Sequence, residues 1–297
     1  MMKRYLFQLN NTYNNEKPFY EIDSLPNSDV VKVYIFGGRS DFAPNGMGSI
    51  YIYLELRDEL TPRNVFYNLQ RILNLIYLET GSSTYYREIP LNGLSNFDEI
   101  YTTFGASKYF DGATSYHGIT PEPNHILRVQ QLITLINKVN ENEFMKFDNS
   151  LNTYVWALEL RELPNPHLKF TLYMTLLLSS IEQLSSSPSN CDFHDPCPKC
   201  QRELSHHVKG QGQRQALENL IRHLLTGAGV EDGVKRVSLL YGKLRSSFLH
   251  SGNLYGGEKD GGFLEGVEND TELLEDELNI ILLVRKLLEQ FLVKGSQ

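Results

Sequence analysis

Two side chains near the end of one segment are of a kind and spacing that could act on a phosphodiester. In Leu240-Tyr-Gly-Lys-Leu-Arg-Ser-Ser-Phe-Leu-His-Ser-Gly252, Arg245 and His250 interrupt an otherwise apolar periodicity. A guanidinium holds phosphate oxygens as charge builds on them. An imidazole, which titrates near neutrality, can move the proton of a ribose 2′-hydroxyl or of the leaving oxygen. Together they suit RNA cleavage without a metal. On an ideal helix a five-residue separation rotates the two by about 140°, so within one chain they do not face each other. To act together they need a bend, a frayed last turn or a second copy; two copies meeting about a two-fold axis would place two arginines and two histidines in one cleft, and a homodimer is the expectation. The bland alternative is that both residues cap carbonyls and complement the dipole of a helix C-terminus.

A second constellation is Cys191-Asp-Phe-His194-Asp-Pro-Cys197-Pro-Lys-Cys200, followed by His206 and His207. All 3 cysteines fall in this window. An odd, tightly clustered set in an intracellular chain points to metal rather than disulfides. The two-residue spacing of Cys197 and Cys200 is that of a zinc-gripping pair, and Cys191 with one histidine (His194, His206 or His207) completes a closed Cys3His sphere. Such a zinc is structural and would pin a loop over 191–207. Free surface thiols are the alternative. The run Glu268-Asn-Asp-Thr-Glu-Leu-Leu-Glu-Asp-Glu277 is acidic enough to suggest a cation site, but acids at a helix start are favoured by the dipole and explain it more simply. The glycine-rich Gly37–Gly48 stretch lacks the Lys-Ser/Thr ending of a phosphate-binding loop and the dinucleotide fingerprint, and reads as a hairpin connection. His117 and His125 are isolated.

These residues need elements to hold them. Val30–Phe36 and Ser49–Leu56 are rich in β-branched and aromatic residues and read as strands, with another at Thr84–Ile89. Pro62 opens a helix with Val65, Phe66, Leu69, Ile72, Leu73 and Ile76 on one face, ended by Gly81. After Pro121-Glu-Pro123 helical periodicity takes over. It marks helices through Leu127–Val139, Phe170–Leu184 with Glu182 near its end, Ala216–Leu224, about Asp232–His250, and Thr271–Lys294. In the last of these, Leu274, Leu278, Ile281, Leu282, Leu288 and Leu292 are available for burial. Leu151–Leu163, which holds the only Trp, fits strand or helix. The fold class is therefore α+β: a small N-terminal α/β module over 1–120, of unassigned role, followed by an all-α region over 121–297.

Composition sets outer bounds. With 297 residues, 41% hydrophobic and 22% charged, the chain can bury a sizeable core. Its net charge of -8, with the acidic excess spread over both parts, argues against a nonspecific nucleic-acid coat and leaves room for a small local site; DNA is not expected as a partner. The short apolar start predicts no secretory leader, and no run approaches the roughly 20 residues of a membrane span. A cytoplasmic protein without membrane contact is the expectation.

The run Leu240–Gly252 resembles the Arg-x4-6-His signature of HEPN-domain proteins, in particular the ApeA-like branch, whose strings are of the Tyr-x-x-Arg-Ser-x-x-x-His-Gly type. An earlier long helix ending in Ile181-Glu-Gln-Leu184 and a following C-terminal helix agree with that branch. The likeness covers roughly 170–292, and Ser251 stands where a glycine-like residue is expected. The resemblance implies a HEPN-like helical bundle and a dimeric, metal-independent endoribonuclease acting on RNA, often in toxin or antiphage defence. It implies Arg245 and His250 as the catalytic pair, Ser246 as the polar residue after the arginine, and Glu182 as a supporting acid in the same cleft. It equally admits a catalytically silent RNA-binding or dimerisation module.

Overall fold

The computed structural model describes residues 2–14, 19–22, 30–38, 48–57, 62–81, 86–105, 123–162, 166–185, 192–196, 203–207, 213–242 and 271–297. The chain divides into two compact units, the first ending at Val139 and the second beginning at Asn140.

In the first unit, β1 (Met2–Asn14), β2 (Phe19–Ile22), β3 (Val30–Gly38), β4 (Gly48–Arg57) and β5 (Tyr86–Ile89) form one sheet in the order β2-β3-β4-β1-β5. Every pairing is antiparallel, so the module is itself α+β and not the α/β type expected. The Gly38↔Ser49 pairing makes 39–47 the connection between adjacent antiparallel strands, in keeping with the hairpin reading. β1 lies between β4 and β5 and has no counterpart in the sequence reading, because its short apolar core, Leu6 to Leu9, passes into polar residues. A register shift between Leu9 and Tyr13 carries the strand on.

Alternation along the strands sends Leu6, Tyr34, Phe36, Tyr51 and Tyr53 to one side. There they meet Ile100 and the partly buried Phe97, Tyr101 and Phe104 of α2 (Phe97–Phe104), with Phe97 stacked on Tyr34 at 4.1 Å between ring centroids. Burial, with Glu55 adding to it, pushes the Tyr53 phenol up to about 12. A reciprocal cap starts α2: the Asn96 side chain accepts from the Glu99 N–H at 2.9 Å, and the Glu99 carboxylate accepts from the Ser95 N–H at 2.7 Å. That backbone bond from Ser95 holds the Glu99 carboxyl below its ordinary range. On the other side, Phe7, Leu9, Val33, Ile35, Ile52 and Leu54 are all fully buried. α1 (Pro62–Thr80) contributes there, its Phe66 ring lying 6.4 Å from that of Tyr86. Of the expected apolar face of α1, Phe66 alone is exposed, while Val65, Leu69, Ile72, Leu73 and Ile76 are buried.

α3 (Pro123–Ile136) packs on α1 and β2, so the division falls at 139/140 and not at 120/121. The physical reason is where its partners lie. The Gln130 side chain donates to the Glu21 carbonyl at 2.6 Å, and Arg128 meets the buried Glu79 at 3.7 Å. His125 belongs to this helix and not to a loop.

The second unit holds α4 (Glu141–Glu162), α5 (Pro166–Leu184), α6 (Gln213–Leu224), α7 (Gly229–Leu240) and α8 (Thr271–Gly295). The ambiguous Leu151–Leu163 stretch is thus helical. The region is not all-α: β6 (Asp192–Pro196) and β7 (Glu203–His207) pair as a two-stranded antiparallel ladder. α4 and α5 approach closely because Ser150 and Ser180, both fully buried, satisfy each other. Each hydroxyl donates to the other's carbonyl, at 2.7 and 2.9 Å. α8 packs against α4, α5 and α6 and buries Ile280, Val284, Leu287, Leu288 and Leu292. Its expected face is corrected at two positions: Leu278 is 61% and Leu282 50% exposed, while Ile280 and Leu283 turn inward. Among the described residues no helix is long and apolar enough to cross a membrane.

Candidate functional site

Arg245, Ser246 and His250 lie outside the described residues, but the helix that delivers them is described up to Gly242. α7 begins at Gly229, earlier than periodicity suggested, with Glu231 and Asp232 in its first turn. Val237 and Leu240 are fully buried, as the apolar spacing requires, and Tyr241 keeps helical backbone angles with its N–H donated to the Ser238 and Val237 carbonyls.

Three contacts set α7 antiparallel to α8. Gly229 lies beside Lys286, Gly233 packs against Ile221, Leu225 and Leu283, and Arg236 pairs with Asp276. The Cβ of any residue replacing Gly233 would sit 3.1 to 3.3 Å from those three side chains, so glycine is what lets α6, α7 and α8 close on one another. α7 therefore ends beside the first described turn of α8. That junction is fastened by charge. Arg236 also forks onto Asp232 at 2.9 and 3.0 Å, and Arg161 of α4 donates to Glu277 at 2.5 Å. The acids Asp276 and Glu277, from the run weighed as a cation site, are thus taken up in ion pairs. On the other flank Glu218 of α6 accepts from Arg214 and from Ser238 of α7, both at 3.0 Å. The Arg214 guanidinium, more than Ser238, holds the Glu218 carboxyl below its ordinary range.

Glu182 occupies a different level. It is half-buried in the last turn of α5, where its carbonyl accepts from the Ser185 N–H at 3.1 Å and closes the helix. Two residues earlier, Ser180 meets Ser150, which precedes Tyr154 by one turn. Tyr154 senses Arg285 and Glu289, in the C-terminal half of α8, whereas Arg161 meets Glu277 near its start, so α4 and α8 run antiparallel. Glu182 is accordingly level with the C-terminal half of α8, about 20 Å along the helix axis from where α7 ends. The fold does not bring Glu182 to the point where the Arg245 segment departs.

Buried phenols line the α4/α5/α8 seam. Tyr154 is 1% exposed, and burial, with Glu289 adding and Arg285 opposing, pushes its pKa up to about 12. Burial and a hydrogen bond to Glu277 raise Tyr173 as well. A phenol whose folded-state pKa is raised contributes stability that is complete below the unfolded value of 10 and is lost as pH climbs through the folded value. The chain should therefore lose stability between pH 10 and about 12. Tyr154→Phe should remove roughly 3 kcal/mol of that loss, read by chemical denaturation at a series of alkaline pH values. An unchanged pH dependence in Tyr154→Phe would show that this phenol ionises freely.

Of the proposed metal ligands, Cys191, Cys197 and Cys200 lie outside the described residues, while His194 is in β6 and His206 and His207 are in β7. Strand pairing sorts them. Asp192↔His207, Phe193↔His206, His194↔Ser205 and Pro196↔Glu203 are opposite one another. β6 spans about 13 Å, and its two ends adjoin Cys191 and Cys197. A zinc ion with bonds of about 2.0–2.3 Å holds its ligand atoms within about 4 Å of each other. The expected Cys191-His-Cys197-Cys200 sphere thus draws on both ends of an extended ladder. Among the residues whose side chains are described, no group of three or more His, Cys, Asp and Glu is placed to hold a metal.

No family model, curated protein or solved structure matches this chain. The functional reading therefore rests on its own residues.

Proposed function

We propose that the chain is a metal-independent endoribonuclease of the HEPN type, cytoplasmic, cleaving RNA in a cleft formed by two copies of its helical unit. The observation that carries the reading is the Arg245-x4-His250 spacing. It follows directly on α7, with α5, which ends in Ile181-Glu-Gln-Leu184, before it and α8 after it, in the order the resemblance implies. In this reading His250 moves the proton of the 2′-hydroxyl or of the leaving oxygen, Arg245 clamps the phosphate, and Ser246 is the polar residue beside it. Glu182 of α5 is left out because it lies level with the C-terminal half of α8, away from the end of α7. Metal bound near the β6–β7 ladder serves the fold, and the first unit selects substrate or senses a trigger, in a toxin or antiphage setting.

The test is incubation of the purified chain with tRNA, mixed cellular RNA and single-stranded DNA in EDTA. Cleavage of both RNAs with DNA left intact is expected, because the attacking group is the 2′-hydroxyl. Intact RNA over a range of protein concentrations and activating extracts would leave the silent RNA-binding or dimerisation module as the reading.

A further inference from the structure

The connection from β5 to α2 carries the one non-glycine residue with a positive φ among the described residues. Leu91, Asn92, Gly93 and Leu94 make a tight turn, closed by the Leu94 N–H donating to the Leu91 carbonyl at 2.9 Å. Asn92 has φ 44° and Gly93 φ 91°, the pattern of a type I′ turn, for which Asn-Gly is a favoured central pair. Both residues are exposed. A Cβ added at Gly93 would meet nothing within 4 Å, so nothing crowds the peptide bond between them. Among the described residues, neither the Asn92 carboxamide nor the Gly93 N–H has a hydrogen-bond partner. The carboxamide is thus free to turn toward a backbone nitrogen that no side chain shields. On either side, Leu91 and Leu94 pack against the core of Leu6, Tyr34, Phe36, Tyr51, Tyr53 and Ile100.

We propose that Asn92 is a site of spontaneous modification, losing its side-chain amide through a cyclic imide with Gly93, and that the isoaspartyl product loosens α2 from the sheet. In the first step the deprotonated Gly93 nitrogen bonds to the Asn92 Cγ. The Cγ–Nδ2 bond breaks, and ammonia leaves with a proton drawn from water. Water then opens the ring at one of its two carbonyls. Ammonia goes out, water comes in, and one new carboxylate remains. Opening at Cγ gives aspartate on an unchanged backbone, and aspartate tolerates a positive φ. Opening at the main-chain carbonyl gives isoaspartate, whose chain runs through Cγ and is one carbon longer between Leu91 and Leu94. The turn hydrogen bond and the seating of both leucines then cannot hold together. α2 is sensitive to this because Ile100 is its only buried residue. This inference does not rest on the nuclease reading.

The full-length wild type, Asn92→Asp and Asn92→Gly are aged at neutral and alkaline pH, and position 92 is followed by peptide mapping and by isoaspartyl-directed enzymatic methylation. Asn92→Gly removes the reactive amide and leaves a Gly-Gly pair that suits the same turn. In the wild type both products should accumulate at position 92 in proportion to hydroxide. The rate should be within about tenfold of that in denaturant, because an exposed turn needs no local opening to react. Asn92→Gly should form neither product. The isoaspartyl form, separated by ion exchange, should lose near-UV circular dichroism from the tyrosine cluster, and its Tyr53 should titrate below the value of about 12 that burial sustains. Freshly prepared Asn92→Asp should match the wild type. The modification is overturned if Asn92 stays intact in the folded chain or converts more than about tenfold slower than in denaturant. The loosening is overturned if the isoaspartyl form keeps the wild-type spectrum and titration.

Discussion

Replacing His250 by alanine should lower RNA cleavage in EDTA by at least about 10²-fold, the ordinary contribution of a positioned general acid or base. Arg245→Ala should lower it by a similar factor through loss of the phosphate clamp. Arg245→Lys should recover little, because an ammonium cannot present the guanidinium fork. The pH profile supplies a readout that a merely structural role would not move. The wild-type rate should depend on a group titrating near neutrality, and that dependence should vanish in the residual activity of His250→Ala. Because a five-residue spacing on an ideal helix would turn the two apart by about 140°, the proposed site should be complete only in a dimer. Specific activity should then fall on dilution in step with the dimer fraction measured by sedimentation. Cleavage that persists in His250→Ala, or that is constant per chain down to full dissociation, would remove the proposed mechanism.

Leu288→Ala should be the most damaging of the helix-packing changes, lowering unfolding free energy by about 2–5 kcal/mol. Leu288 is fully buried on the helix against which α4, α5 and α6 all pack, so the lost methyl groups leave a cavity that three neighbours would have to fill together. That loss is a large share of the roughly 5–15 kcal/mol that holds a folded protein together. Leu278→Ala, ten residues earlier and 61% exposed, should change stability by no more than about 0.5 kcal/mol. Denaturant unfolding of the two variants, followed by helical circular dichroism, checks the pair. Equal losses at both positions would mean that α8 buries a different face.

The contrast between those two leucines shows what local sequence can and cannot decide. Where one periodicity dominates, the chain reads directly. Val30–Gly38 and Gly48–Arg57 are strands because β-branched and aromatic residues crowd them. Pro62–Thr80 is a helix opened by Pro62 and followed by Gly81, while Pro166–Leu184 starts four residues before the periodicity that marked Phe170–Leu184. β1 was hidden because half of it is polar and is held by pairing with Ser49 and Gly48, residues far along the chain. α2 was hidden because it is two turns long, and its apolar face becomes evident only against Tyr34, Phe36 and Tyr51. On α8 apolar residues occur on more than one side, so the spacing offered a choice of faces, and the neighbouring helices made it.

The candidate site divides in the same way. The amino-acid sequence by itself determined which residues are chemically capable: the Arg245/His250 pair, the cysteine–histidine window, and the apolar spacing that seats Val237 and Leu240 in a core. These follow from residue type and from distances of a few positions, which a helix or a loop preserves. Only the tertiary structure decided that α7 ends beside the start of α8, that Arg236 and Arg161 take up Asp276 and Glu277, and that Glu182 of α5 lies level with the other end of α8. It also decided the strand register that pairs Asp192 with His207 and Phe193 with His206. Helix direction and strand register are set by which buried surfaces and backbone groups find partners across the chain. No window of sequence contains both halves of such a contact.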